Sequence, residues 1–328
     1  AERIGLDYFY FARRQLVYLP VALALMIGAS LLSPTGVFRA AMVTLTIFSL
    51  LVVATFVVGT EIKGARRWIG LGPISIQPSE FLKPAFAVVA AWLFASARTG
   101  DIKHGNLISI ATFGTIVSLL LLQPDVGMSV VISVAWSAQF FLAGLPLYWA
   151  VLLIVGGAGA MVAAYFTLHH VASRIDRFLD PSSGDSYQVD RSLEAFINGG
   201  LFGRGPGEGT VKEVLPDAHS DFVFAVAGEE FGLFVCLIIV GLFAFIVLRG
   251  FTRALQETDL FILLATAGLL VQFGLQAVIN MGSTLRLMPT KGMTLPFVSY
   301  GGSSLIAMGL CIGFLLALTR KRVGAKSQ

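Results

Sequence analysis

Nine apolar runs, each near the length of about 20 residues that a helix needs to cross a bilayer, constrain this chain more than anything else. They cover 16–32, 40–59, 79–97, 105–122, 126–143, 147–168, 226–248, 259–281 and 303–318. Apolar residues make up 56% of the 328 and charged residues 13%, about half the charge of a soluble domain. That leaves too little polar surface to cover a water-soluble core, and the mean hydropathy of +0.83 agrees. The expectation is an all-α polytopic membrane protein with nine transmembrane helices, folded as a single domain over 1–328. Several runs are short or adjoin proline, as where helices break around a cavity. No internal repeat divides them, which weakens a transporter built on inverted halves.

The remaining composition excludes more than it assigns. Cys236 and Cys311 both lie inside apolar runs and suggest neither a disulfide nor a zinc site. His104, His169, His170 and His219 form no metal-ligand pattern, and no nucleic-acid partner is expected. The tail TRKRVGAK is basic without an acid, which argues for a cytoplasmic C-terminus. Nine spans then place Ala1 outside, together with loops 60–78, 169–225 and 282–302. Long loops translocate largely regardless of charge, so 169–225 counts for little. The cations of the short outer loops, Lys63, Arg66, Arg67, Arg286 and Lys291, run against the rule; they suggest an anionic ligand on that face or a paired surface.

Four polar features stand out. In GARRWIGLGPISIQPSEFLK, Arg66, Arg67 and Trp68 read as a membrane-surface anchor. Pro78 suits the first turn of a helix, which puts Glu80 at the positive end of the dipole and Lys83 on the same face. That pair is either a self-neutralising ion pair or the lining of a polar cavity. QPDVG sets Asp125 in a turn as an N-cap or a cavity group. The large extracytoplasmic loop 169–225 carries an amphipathic stretch, with Leu193, Phe196, Ile197 and Leu201 at helical spacing, that suits a membrane surface. The glycines of GGLFGRGPGEG are turns or a phosphate cradle. In MPTKGMTLPFVSYGGSS, prolines and glycines exclude a regular helix, and Lys291 and Ser299 supply donors; this reads as a re-entrant element beside a ligand site.

Then LPDAHSDFVFAVAGEEFG gathers Asp217, Asp221, Glu229 and Glu230 at the mouth of an apolar run. Asp221 reads as an N-cap of that run or as a base. Glu229 and Glu230 read as structural, paired with Arg or Lys of the outer loop.

Taken in order, GARRWIGLG…IQPSEFLK, QPDVG, the SYQ…GG loop, LPDAHSDFVFAVAGEEFG and PTKGMTLPFVSYGGSSL resemble the SEDS proteins (shape, elongation, division and sporulation), which are membrane-embedded peptidoglycan glycosyltransferases. The likeness runs from about residue 7 to residue 318, and PTKGMTLP is closer to the cell-division branch than to the elongation branch. The resemblance implies ten spans, of which this chain would lack the first. It implies lipid II as substrate, polymerised at the outer face of the bacterial cytoplasmic (inner) membrane, at the division septum. It also implies a class B penicillin-binding protein as partner, with small bitopic divisome regulators. Asp221 falls at the family's essential aspartate, and Glu80 and Lys83 at its intramembrane pair.

Converting an α-linked pyrophosphate into a β-glycosidic bond takes one inversion. One general base suffices, because pyrophosphate leaves through charge stabilisation. Asp221 is the expected base, with His219 and Ser220 beside it. Arg66, Arg67, Arg204, Lys212 and Lys291 are candidates for the leaving group. Gln77, Ser79, Glu80, Lys83, Asp125 and Ser299 complete the expected substrate-binding set. No cofactor is required; a divalent cation, Mg or Mn, is compatible, although no ligand spacing supports one. A lipid II flippase and a non-catalytic divisome scaffold are the alternatives.

Overall fold

The computed structural model describes residues 9–62, 65–72, 74–144, 147–167, 171–173, 175–176, 187–289 and 292–320. Each apolar run becomes a helix: α1 (Tyr10–Ser30), α2 (Pro34–Val58), α3 (Pro78–Thr99), α4 (Gly105–Leu122), α5 (Val126–Leu142) and α6 (Leu147–Thr167). After the polar loop, which holds α7 (Tyr187–Gly199) and α8 (Val211–Val214), come α9 (Val223–Ala254), α10 (Leu260–Thr284) and α11 (Gly302–Thr319). Among the described residues seven helices, α1 to α4 and α9 to α11, are long and apolar enough to cross a membrane. Helix α5 has 17 residues, and α6 has 21 with no charged side chain. The protein is a polytopic all-α membrane protein.

The segment 60–78 departs from the expected loop. It folds into an antiparallel sheet of β1 (Thr60–Ile62), β2 (Ala65–Leu71) and β3 (Ile74–Ile76), in the order β1-β2-β3. Thr60 faces Trp68, and Ile69 faces Ile76. Its charges hide the strand pattern in the sequence, while pairing satisfies backbone groups at an apolar boundary.

The chain divides into two compact units. One comprises Ala1–Gln15, Leu145–Ile246 and Gly274–Gly301; the other comprises Leu16–Gly144, Val247–Phe273 and Gly302–Gln328. In the second unit α3 is the central helix, with 18 of its 22 residues buried. Phe81 stacks on Phe48 of α2 and Trp92 on Phe38. Small residues let helices approach closely here: side chains at Gly309 and Gly313 of α11 would start 2.6 Å from the Ala22 carbonyl oxygen and 2.7 Å from that of Met26 in α1.

In the first unit α9 is broken at Gly232, which has φ 76° and ψ −175°. The polar loop between α6 and α9 fills the break. Leu233 and Phe234 donate their N–H groups to the carbonyls of Gly200 (3.0 Å) and Leu201 (3.3 Å), and Arg204 and Gly205 donate to those of Glu229 and Glu230 (both 3.0 Å). The loop thereby satisfies the donors and acceptors that a helix end leaves open. A side chain at Gly232 would collide with Gly203 and Leu201, and its backbone region is essentially closed to other residues. Gly232→Ala is expected to cost about 1–3 kcal/mol, read as a lowered thermal unfolding midpoint in detergent. Gly241→Ala, which meets nothing within 4 Å, should leave the midpoint in place.

Candidate functional site

The segment before α9 is a tight turn around one carbonyl. Asp217 takes a left-handed conformation (φ 55°), which Asp tolerates better than most residues. Its carbonyl accepts the N–H groups of Ser220 (3.0 Å), Asp221 (3.0 Å) and Phe222 (3.4 Å). Asp221 sits at the end of this turn, partly buried. Asn280 of α10, 1% exposed, donates through Nδ2 to the carbonyls of Asp221 (2.9 Å) and Met293 (2.5 Å).

The irregular stretch after α10 is strung along the same turn. Ser299 donates its hydroxyl to the Ser220 carbonyl (2.5 Å) and accepts from the Leu295 N–H (2.7 Å). The Tyr300 N–H donates to the His219 carbonyl (2.9 Å). Gln276 donates to the Thr294 carbonyl (3.0 Å). Gly292, at φ 56°, brings bare backbone to the carboxylate: a side chain there would begin 3.0 Å from Asp221 Oδ2. The sequence-nominated Asp221, His219, Ser220 and Ser299 are thus brought together in one unit; Lys291 lies outside the described residues.

His219 stacks on Phe11, with ring centroids 3.8 Å apart, and lies 5.5 Å from the Tyr300 ring. Burial lowers its pKa below the ordinary value of 6.5, and Asp217 opposes the shift. Burial in the folded protein thus favours the neutral imidazole. Its contribution is complete above the unfolded value and is lost as pH falls through that value toward the folded one. Lowering the pH from about 7.5 to about 5.5 should reduce the unfolding midpoint more in wild type than in His219→Gln; equal slopes would show that the imidazole does not titrate with folding.

Two nominated cations of the loop before α9 have acidic partners. Lys212 Nζ is 2.5 Å from Glu230 Oε1 and 2.6 Å from the Gly207 carbonyl oxygen. Arg204 donates to the Thr210 hydroxyl (3.1 Å) and stands 3.8 Å from Glu229 Oε1. Glu229 and Glu230 thus pair with cations of this loop, the pairing expected of them. The amphipathic stretch is helical as far as Gly199, with Phe196 against Phe224 of α9 and Ile197 79% exposed; Leu201 lies in the turn beyond the helix, because Gly200 takes a left-handed conformation.

The second unit holds the other polar set. Pro78 opens α3 behind Gln77, whose N–H donates to the Ser303 hydroxyl (3.1 Å) and whose side chain donates to that of Ser79 (3.2 Å). Glu80 and Lys83 form an ion pair at 2.8 Å with exposures of 4% and 0%. Gln272 donates to the Lys83 carbonyl (2.8 Å). Asp125 caps α5 by accepting the Met128 N–H at 3.3 Å. Arg67 donates to the carbonyls of Gln123 (3.0 Å) and Pro124 (2.5 Å) and lies 3.8 Å from Asp125 Oδ1, so the hairpin is clamped to the α4–α5 turn. Arg66 is exposed, 3.4 Å from Glu61.

Asn280 and Gln276 escaped the sequence reading. Their spacing of four on an apolar helix was the available signal, since polar groups in a span need partners.

A family model described as "Cell cycle protein", covering FtsW, RodA and SpoVE, matches residues 1–323. The chain belongs to the FtsW/RodA/SpoVE family. This is the family its motifs resemble, and it makes the chain a multi-pass protein of the bacterial membrane. Among FtsW relatives, the Caulobacter vibrioides protein named "Probable peptidoglycan glycosyltransferase FtsW" is 45% identical over 331 residues, covering 99% of this chain and 84% of that one. The RodA crystal structure from Thermus thermophilus, a rod shape determining protein, matches with a TM-score of 0.69 at 31% identity, over 97% of this chain and 89% of that one. A solved chain described under "Structural coordination of polymerization and crosslinking by a peptidoglycan synthase complex" matches with a TM-score of 0.77 at 29% identity, over 97% and 92%.

Proposed function

We propose that the protein is an FtsW-type glycosyltransferase that polymerises lipid II into glycan strands for septal wall synthesis. The observation that carries the reading is the mounting of Asp221: a carboxylate at the head of an apolar helix, with the backbone around it fixed by Asn280 and Ser299. The FtsW relatives and the synthase-complex neighbour support the same reading.

In the proposed step the 4-hydroxyl of the acceptor sugar attacks the donor's anomeric carbon in line. The new O–C bond forms as the C–O bond to pyrophosphate breaks, and the configuration inverts. The hydroxyl proton passes to Asp221, and polyprenyl diphosphate leaves with both bonding electrons. Cations stabilise the charge that develops on the leaving group. Arg66, Arg67, Arg204, Lys212 and Lys291 are the nominated cations; Arg66 stands 3.4 Å from Glu61, and Arg67, Arg204 and Lys212 also have protein acceptors. A divalent cation, Mg or Mn, would be held chiefly by the pyrophosphate, because among the described residues no three His, Cys, Asp or Glu side chains stand together.

The reading includes a class B penicillin-binding protein as cross-linking partner and small bitopic regulators of division. It places the reaction at the outer face of the cytoplasmic membrane, at the septum, with the C-terminus in the cytoplasm. The test is fluorescent lipid II supplied to the purified full-length protein with its penicillin-binding partner. Polymer on a gel is the expected result. Transbilayer movement of lipid II without polymer would replace the reading with a flippase, and partner binding with neither activity would replace it with a scaffold.

A further inference from the structure

We infer that Glu229 is a positioning residue for Asp221: its carboxylate closes the chain from Thr210 to Glu229 into a ring on which the base is carried. The inference rests on the polymerase reading and adds to it a residue that does not touch the reacting atoms.

Glu229 is fully buried, at 0% exposure. Oε1 accepts the N–H groups of Thr210 (3.0 Å) and Val211 (3.2 Å), and Oε2 accepts that of Val211 (3.1 Å). The Thr210 hydroxyl and Arg204 Nη1 face Oε1 at 3.4 and 3.8 Å. A carboxylate is stable in such a place only when donors surround it. Here the donors belong to the outer loop and the acceptor to the helix.

From Val211 the chain runs back to the base through an apolar anchor. Val211 and Leu215 cluster with Phe222, Ala225 and Ala195, and the Asp217 turn lies between Leu215 and Phe222. Asp221 is therefore carried on a segment tied by the Glu229 carboxylate at one end and by this cluster along its length. The rest of α9 cannot take over the task, because the helix is broken at Gly232 and the short piece Val223–Phe231 is marginal as an isolated helix. A carboxamide cannot replace the carboxylate: it offers one acceptor and turns an NH2 group toward a loop N–H.

The test uses full-length protein with its penicillin-binding partner, and reads lipid II kinetics, thermal unfolding and amide hydrogen exchange. Glu229→Gln is expected to lower kcat about 100-fold, the scale of a small misplacement of a reacting group, with KM for lipid II nearly unchanged and faster exchange at the amides of Ser220, Asp221 and Phe222. Gly209→Ala reaches the same carboxylate with its charge intact, since the added carbon would stand 2.9 Å from Oε2. It should lower kcat about tenfold, a milder displacement of the same kind, with the same change in exchange. A folded Glu229→Gln protein with wild-type kcat, or with wild-type exchange across 217–222, overturns the inference. If that variant does not fold, Gly209→Ala decides by the same two readings. Absence of polymer from the wild type would sink the polymerase reading alone, because exchange is measured without lipid II.

Discussion

Asp221→Asn is expected to abolish glycan polymerisation, lowering turnover by about 10²–10⁴-fold, the usual contribution of a general base. The substitution keeps the size of the side chain and removes its ability to take a proton. Five hydrogen bonds that shape this turn end on its backbone carbonyls and survive the substitution: the Asp221 carbonyl receives Asn280, the Ser220 carbonyl receives Ser299, and the Asp217 carbonyl receives three N–H groups. The variant should therefore fold, unfold at nearly the wild-type temperature and still bind its penicillin-binding partner. Polymer made from lipid II by the purified pair is the measurement. Wild-type rates would remove Asp221 as the base and leave it as a turn residue.

Lys83→Met is expected to be the most destabilising single change in the second unit. Lys83 is 0% exposed, and its ammonium lies 2.8 Å from Glu80. Removing it leaves a buried carboxylate without its counter-charge, which costs about 3–5 kcal/mol when one partner of a buried pair is lost. Glu80→Gln together with Lys83→Met removes both charges, and replacing a buried pair as a whole is often neutral. The double variant should therefore recover most of the unfolding midpoint. Its activity then separates the two roles left open by the spacing of Glu80 and Lys83. Recovery of stability and polymerisation together marks a structural pair; recovery of stability alone marks a pair that serves the substrate.

Much of the fold was legible because a bilayer leaves few options. A run of about 20 apolar residues must satisfy its backbone internally, and a helix does so. Local geometry extended this: Pro78 at the first turn, Glu80 and Lys83 three apart, and Asp125 ahead of α5 all stand as their spacing requires. The hairpin at 60–76 was not legible, because two arginines inside β2 read as a surface anchor, whereas Arg67 clamps the carbonyls of Gln123 and Pro124. Arg204 and Lys212 are nominated for an anionic leaving group, while Glu229 and Glu230 are expected to pair with loop cations; only the fold shows that those cations are Arg204 and Lys212 themselves.

The sequence by itself determined the solvent this protein lives in and its long apolar helices, because those follow from hydropathy. Local pattern leaves Asp221 as an N-cap or a base, and the resemblance of its motif to the SEDS proteins nominates it as the base. Only the tertiary structure decided how that acid is held. Asn280 lies 59 residues from Asp221, and Ser299 lies 79 from Ser220. Hydrogen bonds over such separations depend on which elements meet in space, and no local pattern records that.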